Sequence, residues 1–216
     1  MRQQKIRGHK RRHRQIELWR LENLELRMDL INKYSSDYID IVVHPWCDIS
    51  IINSKFPEPK RKTKQLILNA LIDIHDSWKN QLDKIGQPYY LKIWLYNPRF
   101  SKSQVVCAIG DKINHYENVF YKCEDTKEIL TSNFGALKNR LEKFNWEHCI
   151  DENHYDNNEV GEPELYATHK DYEESKNWFT RILKKPHRTT KIDEDTELYS
   201  FRQGDIWVGR QNKNAL

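Results

Sequence analysis

The stretch YYLKIWLY, residues 89–96, decides how the fold is interpreted. Successive side chains of a β-strand point to opposite faces, so this segment has two different sides. One side carries Leu91, Ile93 and Leu95, which is typical of a strand that faces an apolar core. The other side carries Tyr90, Lys92, Trp94 and Tyr96. We interpret these aromatic residues as packing beneath a helix, with an exposed base-stacking surface as the alternative.

The segments around this strand predict a helix and a partner strand. Residues 63–85 place an apolar residue every three or four positions and are followed by Gly86, which predicts an amphipathic helix that ends there. Residues 104–110 form a second apolar run, which we expect to pair with 88–96 as a hairpin. Helix, strand and strand in this order favour an antiparallel sheet covered by a helix.

Weaker patterns predict the other elements. We expect helices at 16–36, 131–149 and 172–185, strands at 37–46 and 117–123, a surface loop at 150–166, and a hairpin at 196–210 that turns at residues 203–205. The fold class is therefore α+β, with a mixed or mainly antiparallel sheet and amphipathic helices packed on it. The predicted organisation is a basic N-terminal arm, residues 1–14, and a single α+β domain, residues 15–216.

The composition indicates a folded protein outside the membrane. The chain has 216 residues, 12% of them aromatic and 31% charged, and no apolar run is long enough to span a bilayer. The four cysteines are scattered and form no C-x-x-C pair, a pattern that favours reduced thiols. We therefore predict a cytoplasmic protein with no membrane partner.

Positive charge is concentrated at the amino end. The chain has 36 basic and 32 acidic residues, but residues 1–14 contain no acidic residue. The basic residues of this arm are Arg2, Lys5, Arg7, Lys10, Arg11, Arg12 and Arg14. Such a cluster is typical of contact with a phosphate backbone, because Lys and Arg displace condensed counterions. The alternative is that the arm pairs with carboxylates of the same chain or of another subunit.

A second group of residues could carry chemistry. His44 and Asp48 lie at and just past the end of the strand predicted in 37–46, which we expect to stop before Pro45, and this spacing suggests a general base oriented by a carboxylate. His44 and Cys47 could instead bind a metal together with residues from 147–154, although the spacing matches no standard zinc motif. We therefore predict no metal site, and we keep a phosphodiester hydrolase centred on His44 as an alternative function.

Two short motifs resemble those of two-histidine phosphoesterases, which carry paired His-x-Thr/Ser motifs. They are His75-Asp76-Ser77 and His187-Arg188-Thr189. The resemblance implies a phosphoesterase with one histidine from each motif beside the phosphate. The chain lacks the glycine-rich phosphate loops and the G-x-S-x-G and H-E-x-x-H patterns, and it has only 7 glycines. We therefore predict no nucleotide cofactor.

The favoured function is non-specific binding of nucleic acid, DNA or RNA, through the basic arm. Lys92 and Trp94 would add contacts if the aromatic side of 89–96 were exposed. A protein-interaction module is the alternative from another class, either an inhibitor or immunity-type protein or a self-associating subunit. The high Trp and Tyr content motivates this alternative, because aromatic residues often anchor interfaces.

Overall fold

A computed structural model describes most of the chain. The described residues are 9–27, 39–43, 59–97, 100–120, 124–125, 134–156, 167–182 and 185–211. The chain divides into two compact units, one formed by Met1–Cys149 with Asp205–Leu216 and the other by Ile150–Gly204.

The helices and strands confirm the predicted α+β class. The helices are α1 (His9–Glu22), α2 (Arg61–Ile85), α3 (Lys112–Glu117), α4 (Lys138–Leu141) and α5 (His169–Ile182). The strands are β1 (Ile39–Val43), β2 (Tyr89–Asn97), β3 (Gln104–Ile109), β4 (Glu124–Asp125), β5 (Phe144–Asp156), β6 (Arg188–Lys191) and β7 (Glu197–Gln211).

The sheet of the first unit has the order β1-β3-β2-β7-β5-β4. The pairs β1–β3, β3–β2, β2–β7 and β4–β5 are antiparallel, and β2 meets β3 in the predicted hairpin with Tyr89 opposite Ile109. In the second unit, β6 pairs antiparallel with the first half of β7. The mainly antiparallel sheet expected from the sequence is therefore confirmed.

One face of β2 packs against α2. Leu91, Ile93 and Leu95 share a buried cluster with the apolar stripe of α2, and Trp78 of that stripe is almost fully buried. The helix ends at Gly86, whose φ of 70° lies in the left-handed region that glycine adopts without strain. The same cluster includes Ile16 and Trp19 of α1, so α1 packs beside α2.

The other face of β2 packs against α3 and the residues that follow it. Tyr90 and Trp94 are buried, and the Trp94 ring lies 4.8 Å from Phe120 and 5.8 Å from Tyr116, centroid to centroid. The aromatic side of the strand therefore belongs to a second core cluster. This confirms that the aromatic side is packing and not an open surface.

Several predicted elements are wrong in detail. Residues 144–149, predicted as helix, begin β5, where Phe144 and Trp146 are buried and their neighbours are exposed. The same strand runs on to Asp156, where a loop was expected. The predicted hairpin at 196–210 is one continuous strand, because β6 and β2 pair with successive parts of β7 and keep it extended.

Two predicted boundaries of helices and strands are also wrong. Residues 112–117 form α3, so no strand starts at 117. The first helix ends at Glu22 rather than near 36.

Two cysteines lie within the described part of the chain. Cys107 and Cys149 are both buried, and neither forms a disulfide within the described residues. Burial raises the pKa of the Cys107 thiol to about 12, which keeps it protonated near neutral pH. Among the helices of the described ranges, none has the length and apolar character needed to cross a bilayer.

Candidate nucleic-acid interface

The basic residues predicted to bind nucleic acid are partly described. Lys10, Arg11, Arg12 and Arg14 lie in α1, whereas Arg2, Lys5 and Arg7 lie outside the described residues. Ile16 and Trp19 anchor one face of α1 to the core, and Arg11 and Arg14 are exposed on the opposite face. Within the described part of the chain, neither Arg11 nor Arg14 forms an ion pair. Their guanidinium groups are therefore free to meet an external anion.

Arg20, at the other end of α1, has a structural role instead. Its Nη2 pairs with Glu17 Oε1 at 2.5 Å and its Nη1 with Asp73 Oδ2 of α2 at 3.3 Å. The hydrogen bond from Arg20 lowers the pKa of Glu17, and the same bond raises the pKa of Arg20. This pairing accounts for one arginine of α1, whereas Arg11 and Arg14 form no ion pair with any described residue.

The segment from Arg20 to Leu26, the end of α1 and the residues after it, runs along α2. Arg20 contacts Asp73, the carbonyl of Asn23 accepts a hydrogen bond from Trp78 Nε1, and the Leu26 amide donates to Gln81. Both partners advance together along the sequence over this segment. Counted back from the Arg20–Asp73 contact, Arg11 lies about 14 Å towards the start of α1 and Lys62 about 16 Å towards the start of α2.

The start of α2 carries a second basic cluster. Lys60, Arg61 and Lys62 are consecutive and exposed, and none of them forms an ion pair within the described part of the chain. Lys64 follows two positions after Lys62, with its Nζ 5.3 Å from the centre of the Phe100 ring. The sequence shows this cluster as a basic, proline-broken segment, and the structure places it at the amino end of the helix that packs against α1.

Helix stability does not explain these basic ends. The first turns of α1 and α2 contain no acidic residue, and the N-cap Lys60 makes no side-chain capping hydrogen bond. A cation near a helix N-terminus opposes the helix dipole and costs about 0.3–1 kcal/mol. The charges thus weaken the helices that carry them.

Lys92 and Trp94, also predicted to contact nucleic acid, lie in the second core cluster. Trp94 is 6% exposed, and its Nε1 donates to the Tyr90 hydroxyl at 3.0 Å. Lys92 is 7% exposed, with its Nζ 3.1 Å from Glu117 Oε2 and 4.8 Å from the centre of the Tyr90 ring. Base stacking on this face is excluded, because α3 and the residues after it already cover the rings.

The catalytic pair predicted from the sequence, His44 and Asp48, lies outside the described residues. His148, considered above as a metal ligand, instead places its Nε2 2.8 Å from Asp205 Oδ1 and stacks at 5.5 Å on Trp207. In the described ranges, no three His, Cys, Asp or Glu side chains come together as a metal site would require.

The resemblance to two-histidine phosphoesterases finds no support in the geometry of either motif. His75 lies in the middle of α2, is 1% exposed, and packs edge-on against Phe144 at 4.9 Å. His187 belongs to the second unit, where its Nε2 lies 3.3 Å from Glu152 Oε1 and the neighbouring Arg188 binds the same carboxylate. Each histidine therefore has a packing or pairing role within its own unit.

A cavity of about 480 Å³ lies where β2 and β7 separate. The paired register of these strands begins at Ile93 and Gly209, so Leu91, Lys92, Arg210 and Gln211 line the gap. Two of its cations are already paired, Lys79 with Asp83 at 2.7 Å and Lys92 with Glu117. Burial and the hydrogen bond to Asp83 raise the pKa of Tyr89, so its hydroxyl stays protonated. The charges of the cavity are largely balanced internally.

Comparison of the chain with protein-family models, with curated proteins and with solved structures finds no match. The function is therefore argued from the chain's own geometry.

Proposed function

We propose that the protein binds nucleic acid non-specifically through the phosphate backbone, using exposed cations at the amino ends of α1 and α2. We call this set the basic surface; its members are Arg11, Arg14, Lys60, Arg61 and Lys62. The observation that carries the proposal is that two clusters far apart in sequence lie at the amino ends of two helices that pack together, exposed and without ion pairs among the described residues.

The chemistry of the basic surface fits phosphate better than a small anion. Arginine presents a planar fork that binds two phosphate oxygens, and neutralising several phosphates releases condensed counterions. The two helix dipoles also point their positive ends toward this surface. Because the aromatic side of β2 is covered, the proposal includes no base stacking, and we expect binding that is independent of sequence.

The test is a salt titration of binding to a duplex of mixed sequence. If all five cations engage, the slope of log affinity against log salt is about −4.5 for duplex DNA and about −3.5 for a single strand. Replacing Arg11 and Arg14 by Gln reduces the duplex slope by about 2 in magnitude. Replacing Lys60, Arg61 and Lys62 by Gln reduces it by about 3.

The matched control is the double variant Lys84→Gln and Lys143→Gln. Both lysines are exposed, and Lys84 lies in the last turn of α2, about 33 Å along the helix from Lys62. The control removes the same charge as the arginine variant and should leave most of the slope intact. Equal slopes for the three variants would show attraction by net charge alone and would refute the basic surface as the contact.

The hydrolase alternative stays a prediction, because His44 and Asp48 lie outside the described residues. Its test is the effect of His44→Ala on phosphodiester cleavage. The hydrolase alternative would be refuted if the parent protein cleaved no phosphodiester, or if His44→Ala left the cleavage rate unchanged.

A further inference from the structure

The exposed face of α1 carries a pattern that is symmetric about Leu18. Moving along this face, the residues are Arg11, Arg14, Leu18 and Glu22, with spacings of three, four and four, and Glu25 comes three positions later, beyond the end of the helix. All five are exposed, and Glu25 lies in the turn directly after the helix. Cations therefore occupy one end of the face, carboxylates the other, and an apolar residue its centre.

Leu18 is 48% exposed, and Leu21, one turn further along the same face, is 51% exposed. Ile16 and Trp19 of α1 already contribute to the core, so Leu18 and Leu21 form a second apolar side of the helix that stays half exposed. Leucines at this spacing on an open helix face are typical of a helix that packs against another.

The charges on this face have no partners within the described part of the chain. Glu17 and Arg20 pair with each other, but Arg11, Arg14, Glu22 and Glu25 form no ion pair there. A partner that satisfies them must present carboxylates opposite the arginines and cations opposite the glutamates. A second copy of α1 in the antiparallel direction presents that order.

We propose that two copies of this chain associate through α1, packed antiparallel about a twofold axis at Leu18. The leucines of the two copies then meet at the centre. Arg14 lies opposite Glu22 of the second copy, and Arg11 lies near the carboxyl end of the second helix, which Glu25 follows. A parallel arrangement is disfavoured because it would bring like charges together. An interface of one helix pair is small, so the dimer is weak and its affinity falls with salt.

This inference does not rest on nucleic-acid binding, although both use Arg11 and Arg14. Arg11 and Arg14 cannot contact a phosphate backbone and the second copy at the same time, so an added DNA duplex should shift the dimer toward monomer. The test of the dimer is therefore made on protein freed of nucleic acid, where failure of one proposal leaves the other standing.

The experiment is sedimentation equilibrium of the full chain from 1 to 500 µM in low salt, with charge-swap variants. Arg14→Glu alone and Glu22→Arg alone should each weaken the dimer about tenfold, because each swap opposes like charges at two symmetric positions. The double variant restores both pairs with reversed polarity and should return to within about threefold of the parent. Circular dichroism checks that each variant is folded, and Lys84→Glu controls for net charge.

Three outcomes would overturn the proposal. They are a parent chain that stays monomeric at 500 µM, a dimer that Arg14→Glu leaves unchanged, and a double variant no tighter than the single ones. The variant Leu18→Gln provides an independent check, since it removes the central contact without altering charge and should also weaken the dimer.

Discussion

The indole ring of Trp146 lies directly over Gly209, on the strand next to it in the sheet. A Cβ placed on Gly209 would come within 3.0 Å of three ring atoms of Trp146. The lack of a side chain at Gly209 therefore leaves the space that the Trp146 ring fills. The ring is buried in the main core cluster, and its Nε1 donates a hydrogen bond to the carbonyl of Leu141 at 3.0 Å.

Replacing Gly209 by Ala should lower the free energy of unfolding by about 1–3 kcal/mol, because the added methyl forces a large buried ring to move. Urea denaturation followed by tryptophan fluorescence measures this change. The matched control is Gly135→Ala, where a Cβ meets no atom within 4 Å. Equal effects of the two substitutions would contradict the packing account.

Asp83 should make stability depend on acidity. Its carboxylate accepts hydrogen bonds from Lys79 at 2.7 Å and from the Tyr89 hydroxyl at 2.6 Å, and these bonds lower its pKa below the usual value of 3.8. A lowered pKa in the folded state adds stability above the unfolded pKa, and that stability is lost as pH falls through the folded value.

The variant Asp83→Asn should therefore be less stable than the parent at pH 7, by less than about 1 kcal/mol because solvent screens this exposed group. The difference should shrink as pH falls below the ordinary pKa of 3.8 and should disappear once pH lies below the lowered pKa of the folded state. Urea unfolding across this pH range tests the prediction, with Glu142→Gln as a control carboxylate in a looser 3.6 Å pair. A difference that persists unchanged in acid would refute the assignment.

Lys92 should matter for packing and not for nucleic acid. Its stem is buried beside Tyr90 while its ammonium meets Glu117, so Lys92→Met keeps the apolar contact and should stay within about 1 kcal/mol of the parent. Glu117→Gln leaves the buried ammonium without its anion and should cost more, about 1–3 kcal/mol.

Binding measurements on the same Lys92 variant separate the two roles. We expect Lys92→Met to bind a DNA duplex with unchanged salt dependence, since the ammonium is already paired. A slope reduced by about 1 would instead restore Lys92 as a phosphate contact.

Several strong features could be predicted from sequence, and each depends on local pattern. The stripe of α2 and the alternation in β2 both combine a clear period with enough apolar area to determine which face is buried. The segment 144–156 was harder, because its polar and aromatic residues fit a helix or a strand about equally well. Pairing with β4 and β7 decided the outcome, since local propensity is a weak preference that tertiary contacts override.

For the candidate interface, too, some features follow from the sequence and others only from the tertiary structure. By itself, the sequence determined that residues 1–14 are basic, that residues 63–85 form a helix, and that one side of 89–96 faces a core. Only the tertiary structure decided that the aromatic side is covered, and that the exposed cations at the starts of α1 and α2 belong to two helices that pack together. The physical reason is that these relationships depend on contacts such as Arg20 with Asp73, which join residues far apart along the chain.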